Sequence, residues 1–200
     1  MKCDVILAGV GGQGVLSIAA IIAQAAVEEG LKVRQSEVHG MAQRGGAVLA
    51  HLRLADNTIA SDLVPRGGAD LILSMEPLES LRYAAWLSPK LASGKPGALV
   101  SAAEPLVNIP NYPELDGILK AIEKFPLFRI VETAALAKEA GLARSVNMVM
   151  VGAASPFLPL AEKTLEETIR KAFAGKDASV AEANIKAFSL GRKSALARQN

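Results

Sequence analysis

The chain has 200 residues, half of them hydrophobic, and its 22 basic and 20 acidic residues leave a formal net charge of +2. This length fits one domain with a substantial core, and the intermixed charges exclude the clustered basic face that nucleic-acid binding requires. The single cysteine, Cys3, excludes an internal disulfide and is too few for an iron–sulfur cluster or a structural zinc site.

The first part of the chain predicts a strand, a glycine-rich turn, a helix and a second strand. Apart from Asp4, residues 3–8 are apolar and are followed by glycine, as is typical of a buried parallel strand. Apolar residues then recur at helical spacing over 15–27, and Gly30 closes this helix as a C-terminal cap. Residues 31–38 are predicted to form the next strand, which completes a β-α-β unit.

The rest of the chain continues this alternation. A period of two over residues 47–54 predicts a strand with one more polar face, and the chain from residue 59 is expected to pair back as a short strand. Capping boxes beginning at Thr164 and Ser179 are expected to open two C-terminal helices. The remaining strands are predicted at 71–75, 98–102 and 128–132, and the remaining helices at 77–87, 115–124 and 133–141.

This order of elements predicts an α/β fold of the Rossmann-like, doubly wound type, with a mainly parallel sheet, helices on both faces and a helical C-terminal section. The apolar run 15–27 is too short to cross a bilayer, and no basic and apolar leader precedes the first strand. A lone cysteine favours a reducing compartment. We therefore expect a cytoplasmic protein with no membrane and no nucleic acid among its partners.

The glycine-rich turn is the first candidate site, with Gly9, Gly11, Gly12, Gln13 and Gly14 as its candidate contacts. Glycines at these places permit a tight turn, close approach of the backbone and packing of the helix on the strand. The first N–H groups of the helix have no internal partner, so they favour an anionic group. A phosphate, a carboxylate or the backbone of a partner would fit there, and so would a purely structural turn.

The second candidate site is the run of Gln43, Arg44, Gly45 and Gly46. Arginine offers a planar fork of donors for a carboxylate or a phosphate, and the two glycines let a backbone approach closely. Both loops follow the carboxyl ends of strands, so we expect them at the same edge of the sheet. A dinucleotide site would also need an acidic residue about 20 positions after the turn, to bind a ribose hydroxyl. Glu37 falls near that place, although a salt bridge to Arg34 or Arg44 would explain it equally well.

Four other polar residues are weaker candidates for a functional role. A binding role is open for His39 in the loop, whereas His51 is expected to be a half-buried strand residue. Neither histidine has a partner at metal-ligand spacing, and no nucleophile motif is present, so we expect neither a metal site nor a catalytic residue. Glu76 either faces a ligand or complements a helix N-terminus. Asn147 lies either in an interface or in the core.

Three segments, residues 5–15, 43–46 and 147–153, occur in an order that resembles the gamma subunit or domain of 2-oxoacid:ferredoxin oxidoreductases. The run 37–46 is most similar to the small beta subunit of indolepyruvate ferredoxin oxidoreductase. The resemblance covers nearly the whole chain and implies a single gamma-type domain over residues 1–200. Many relatives carry an acidic residue shortly before the Arg-Gly-Gly element, where this chain has Gln43. The 2-oxoacid therefore stays open, with arylpyruvates favoured.

The resemblance implies oxidative decarboxylation of a 2-oxoacid to an acyl-coenzyme A, with electrons passed to ferredoxin. A larger alpha subunit is expected to hold thiamine diphosphate and the iron–sulfur clusters, so this chain would be an accessory subunit, inactive alone. The two subunits would share coenzyme A, and the two candidate loops would be the contacts of this chain with it. Whether the isolated chain pairs with a second copy is left open. Two alternatives remain: a stand-alone nucleotide-binding dehydrogenase, and an interface subunit whose glycine-rich turn binds nothing.

Overall fold

The computed structural model describes residues 1–37 and 45–197. Its strands are β1 (Lys2–Val10), β2 (Lys32–Glu37), β3 (Ala47–Ala55), β4 (Leu71–Ser74), β5 (Ala98–Ala102) and β6 (Phe128–Val131). Its α-helices are α1 (Val15–Glu28), α2 (Pro77–Arg82), α3 (Leu115–Ile122), α4 (Thr133–Glu139), α5 (Val146–Ala154), α6 (Glu162–Ala172) and α7 (Ala178–Leu196). The predicted α/β fold is confirmed, whereas most of the predicted loop at 40–46 lies outside the described residues.

The six strands form one sheet in the order β2-β3-β1-β4-β5-β6. β1, β4, β5 and β6 are mutually parallel, while β3 is antiparallel to both of its neighbours, β1 and β2. Five strands therefore share one direction, as a mainly parallel sheet requires. The two strands of the predicted β-α-β unit, β1 and β2, are not neighbours in the sheet, because β3 lies between them and pairs with both.

Helices cover both faces of the sheet, as predicted. On one face α1 and α4–α7 pack against inward residues such as Leu7, Leu73 and Val100. On the other face α2 and α3 pack against Ile72 and Leu99. Burial on both faces explains why the sequences of the parallel strands are continuous apolar runs.

None of the helices among residues 1–37 and 45–197 combines the length and apolarity needed to span a bilayer.

The expected short strand from residue 59 is absent. Side chains of β3 hold this stretch instead: Arg53 Nη1 donates to the carbonyls of Ser61 and Leu63 at 2.9 and 3.0 Å, and His51 Nδ1 accepts from the Val64 N–H at 3.1 Å. Because these bonds satisfy the backbone groups, the segment needs no strand partner.

The predicted capping boxes are also wrong. α6 has Ala161 as its N-cap, and α7 has Asp177, so both helices begin before the expected Thr164 and Ser179. Thr164 lies inside the first turn of α6, where its carbonyl accepts from the Thr168 hydroxyl at 2.8 Å. The predicted N-caps therefore lie three and two residues too late, because both helices start without a side-chain capping hydrogen bond.

Candidate functional site

The glycine-rich turn joins β1 to α1 as predicted. Gly12 and Gly14 adopt left-handed conformations, with φ of +99° and +77°. A glycine is required at position 9 because the Val15 side chain packs closely on it: a Cβ there would lie 2.8 Å from Val15 Cγ2. At Gly12, by contrast, no heavy atom of the described part of the chain, apart from its two chain neighbours, lies within 4 Å of a Cβ position. The turn is therefore closely packed at its start and open at Gly12.

Gln13 fills the crevice between two neighbouring parallel strands. Its Oε1 accepts from the Val10 N–H at 2.7 Å, and its Nε2 donates to the Met75 carbonyl at 3.0 Å. These partners stand at the carboxyl ends of β1 and β4, whose following helices pack on opposite faces of the sheet. Such a switch point is where open α/β sheets bind ligands. Both functional atoms of the Gln13 amide are thus used within the fold, and its role as a ligand contact stays a prediction.

The Gly45–Gly46 pair lies directly against this turn. The Gly11 N–H donates to the Gly46 carbonyl at 2.8 Å, and the Gly45 N–H donates to the Gly11 carbonyl at 3.4 Å. These bonds follow the last pair of the β1–β3 ladder, Val10 with Ala47. The expectation that the two loops share one edge of the sheet is confirmed for these residues. Gln43, Arg44 and His39 lie outside the described residues.

A third segment, residues 103–113 after β5, reaches the same edge. Asn108 Nδ2 donates to the Gly45 carbonyl at 2.8 Å. Proline content marks this segment only as a connection in the sequence, so nothing pointed to Asn108. A search for polar residues in loops that follow parallel strands would have included it.

Glu76 anchors this third segment. Its carboxylate is 1% exposed and accepts from the Glu79 N–H at 2.8 Å, from the Leu106 N–H at 3.4 Å and from the Tyr112 hydroxyl. Burial and the adjacent Glu76 raise the pKa of Tyr112 above its usual value. Of the two interpretations open for Glu76, the structure supports the helix N-terminus, since this residue is the N-cap of α2.

Asn147 brings α5 to the turn. Its Nδ2 donates to the Gly14 carbonyl at 3.4 Å, and a Cβ at Gly14 would collide with the same amide. Gly14 is therefore required both by its left-handed φ and by the close approach of Asn147. Residues separated by more than a hundred positions in sequence thus meet at one edge of the sheet.

The other polar candidates lie elsewhere. Glu37 pairs with Ala50 of β3, which in turn pairs with Leu7, so a whole strand separates Glu37 from β1. His51 is 6% exposed, more buried than expected, and burial lowers its pKa. Two clefts, of about 440 and 540 Å³, open around Lys2 at the opposite edge. Within the described residues, no three His, Cys, Asp or Glu side chains cluster as metal ligands.

Comparison with known proteins places this chain in a family. The model of the pyruvate ferredoxin/flavodoxin oxidoreductase family matches residues 4–194. The indolepyruvate oxidoreductase subunit IorB of Thermococcus kodakarensis is 38% identical over 205 aligned positions, which cover 96% of this chain and 95% of that protein.

Two solved structures share the fold. The gamma subunit of a keto/oxoacid ferredoxin oxidoreductase from Geobacter sulfurreducens has a TM-score of 0.69 at 22% identity, and the match covers 98% of this chain and 99% of that one. The 2-oxoglutarate:ferredoxin oxidoreductase from Magnetococcus marinus, solved with 2-oxoglutarate, coenzyme A and succinyl-CoA bound, has a TM-score of 0.74 at 23% identity. That match covers 97% of this chain but only 31% of the longer Magnetococcus chain. With a family model spanning nearly its whole length, the chain belongs to the pyruvate ferredoxin/flavodoxin oxidoreductase family.

Proposed function

We propose that the chain is the small accessory subunit of an indolepyruvate ferredoxin oxidoreductase, which converts an arylpyruvate to an acyl-coenzyme A and passes electrons to ferredoxin. The observation that carries this proposal is the 38% identity to the Thermococcus subunit over nearly the full length of both chains. A larger subunit would hold thiamine diphosphate, which supplies carbanion stabilisation, and the iron–sulfur clusters. One cysteine in this chain leaves no ligand set for such a cluster.

The two paired loops are the part of this chain that meets coenzyme A. Gly12 leaves its backbone open, and the first turn of α1 carries no acidic residue to occupy the positive end of the helix dipole. Arg44 precedes Gly45 directly in the sequence and would add charge-assisted hydrogen bonds to a phosphate. The Magnetococcus enzyme, which shares this fold, was solved with coenzyme A bound, and this supports the assignment.

The same edge offers a surface for the larger subunit. Leu106 and Val107 are 39% and 68% exposed, and residues 105–113 contain no charged side chain. Exposed apolar groups without nearby charge are typical of the centre of a protein–protein interface. The accessory subunit would therefore pack on its partner next to the loops that meet the coenzyme.

A stand-alone dehydrogenase is less well supported. Gln13 occupies the switch-point crevice between β1 and β4, and Glu37 lies two strands from the turn. A dinucleotide would need that crevice for its pyrophosphate and a nearby acidic residue for its ribose.

Co-expression with the larger subunit tests the proposal. We expect a stable complex that reduces a redox dye only when both indolepyruvate and coenzyme A are present, and no reduction by the isolated chain. Failure to form a complex, together with no reduction, would contradict the accessory-subunit assignment. A wild-type complex whose reduction did not need coenzyme A would contradict the coenzyme role.

The coenzyme role has its own test in the Arg44→Ala variant. Loss of a charge-assisted bond of about 1.5 kcal/mol should raise the KM for coenzyme A about tenfold without preventing assembly. Arg34→Ala is the matched control, because Arg34 is an exposed arginine within β2. Equal KM values for coenzyme A in the two variants would contradict the proposed contact between Arg44 and the coenzyme.

A further inference from the structure

We propose that Asn108 is a positioning residue, which holds the Gly45–Gly46 segment against the glycine-rich turn and thereby sets the affinity of the complex for coenzyme A. The part that concerns coenzyme A rests on the proposed function. The part that concerns the loops rests on the geometry of this chain alone.

Asn108 completes a chain of hydrogen bonds across three loops. Its Nδ2 donates to the Gly45 carbonyl at 2.8 Å, and the Gly11 N–H donates to the Gly46 carbonyl, also at 2.8 Å. The remaining bond, from the Gly45 N–H to the Gly11 carbonyl, is 3.4 Å long and correspondingly weak. The glycine pair is therefore held to the turn from one side and to Asn108 from the other.

Gly45 needs such a restraint. It adopts a φ of +80°, and among residues 1–37 and 46–197 no heavy atom outside its chain neighbour lies within 4 Å of a Cβ position there. Glycine has more accessible backbone conformations than any other residue, so a hydrogen bond to its carbonyl helps to select one of them. The bond from Asn108 supplies that selection at the residue that follows Arg44.

Asn108 can act in this way because its own loop is fixed. The buried Glu76 carboxylate accepts from the Leu106 N–H on one side of Asn108 and from the Tyr112 hydroxyl on the other. The Ala103 N–H donates to the Val131 carbonyl at 2.9 Å, which ties the start of the loop to β6. Prolines at 105, 110 and 113 restrict the backbone further. The Glu76 carboxylate after β4, the bond to β6 and the prolines thus fix the loop on both sides of Asn108.

Amide hydrogen exchange on the isolated chain tests the positioning. The Asn108→Ala variant should raise the exchange rate of the peptide 9–16, which contains the Gly11 amide, about tenfold. Asn111→Ala is the matched control: it is the same change in the same loop, at an exposed side chain. Equal exchange in the two variants would overturn the inference.

Kinetics of the assembled complex test the consequence for the coenzyme. We expect Asn108→Ala to raise the KM for coenzyme A three- to tenfold with kcat unchanged, and Asn111→Ala to match the wild type. Asn108→Asp keeps the shape but replaces the donor by an acceptor, so it should behave like Asn108→Ala; normal kinetics in that variant would overturn the role of the bond.

The two arms separate the possible failures. If the wild-type complex needs no coenzyme A, the proposed function and the claim about affinity fall together, whatever the exchange result. If the wild-type complex needs coenzyme A but Asn108→Ala has the KM of Asn111→Ala, only the positioning inference is wrong.

Discussion

Gln13 shows how a single side chain can join the ends of two parallel strands. Its amide joins the carboxyl ends of β1 and β4, with one bond of 2.7 Å and one of 3.0 Å. A glutamine in a glycine-rich turn is equally suited to a ligand and to the backbone, because both present donors and acceptors. Only the position of Met75, 62 residues along the chain, decides which partner the amide takes.

Replacing Gln13 by alanine should lower the free energy of unfolding by about 1–3 kcal/mol, because the partly buried Val10 N–H and Met75 carbonyl lose their partner. Urea denaturation of the isolated chain measures this change. Gln24→Ala is the control, since that side chain is exposed on α1 and makes one long bond of 3.4 Å to Glu28. We expect the control to stay within about 0.5 kcal/mol of the wild type. A similar loss of unfolding free energy in both variants would show that the bonds of Gln13 to Val10 and Met75 make no specific contribution to stability.

We expect His51 to make the stability of the fold depend on pH. Burial lowers its pKa below the ordinary 6.5; the charge of Asp62 opposes this shift and the charge of Arg53 adds to it. The unfolded chain therefore binds a proton at a higher pH than the folded chain. The free energy of unfolding should be highest above pH 6.5 and fall as the pH drops below that value, by at most about 1.4 kcal/mol per pH unit for one proton.

Denaturation between pH 7.5 and 5.5 measures this slope in the wild type and in His51→Asn. Asparagine places an acceptor where Nδ1 accepts from the Val64 N–H but cannot be protonated in this range. The variant should be less stable at neutral pH, because the ring leaves a space, yet its slope should be flatter. His39→Asn gives the contribution of the other histidine in the sequence. An unchanged slope in His51→Asn would rule out His51 as its source.

At the scale of elements, the α5–α7 pair shows why an apolar run can lack a readable pattern. Residues of α5 are buried on every side, so no polar face marks a helical period. The two helices approach through Gly152 and Gly191, where added Cβ atoms would overlap the carbonyls of Phe188 and Val149.

Gly152→Ala and Gly191→Ala should each destabilise the chain by about 3 kcal/mol, because the added methyl meets backbone, which cannot move aside without parting the helices. Gly117→Ala in α3 provides the control: no described residue outside its own helix comes within 4 Å of its Cβ position, and alanine favours the helix by about 0.5–1 kcal/mol. Thermal and urea unfolding distinguish the two cases. If the alanines at 152 and 191 were tolerated, the close approach of the two helices would be wrong.

For the whole molecule, the sheet order brings the ends of β1 and β4, the start of β3 and the loop after β5 to one edge. This edge carries the open turn, the Gly45–Gly46 pair and the exposed Leu106 and Val107. The proposed coenzyme site would thus lie next to an apolar surface, which fits the proposed accessory subunit because a partner that covered the surface would also close the site.

Val107→Asp should weaken assembly with the larger subunit at least tenfold while leaving the fold of the isolated chain intact, because burying an unpaired carboxylate in an interface is costly. Size-exclusion chromatography and titration of the two subunits measure the effect. Leu63→Asp is the control: Leu63 is 53% exposed, but its carbonyl binds Arg53, whose partner Asp4 lies towards the other end of β1. Equal weakening by both variants would contradict the proposed placement of the interface.

The sequence by itself determined the type and order of most elements. Apolar runs such as residues 98–102, and Gly30 directly after α1, reflect short-range sterics and burial, which neighbouring residues are enough to specify. The predicted end of the first strand at Gly9 was wrong, because Gly9 pairs with Val48 and β1 continues to Val10. The sequence also determined that the two glycine loops share an edge, since that follows from strand direction.

Only the tertiary structure decided which partner each polar group takes. Gln13 binds Met75, Asn108 binds Gly45, and Asn147 meets Gly14 across separations of 62, 63 and 133 residues. The insertion of β3 between β1 and β2 is equally long-range. A hydrogen bond depends on distance and angle in space, and no local pattern encodes these when the chain must fold before the two groups meet.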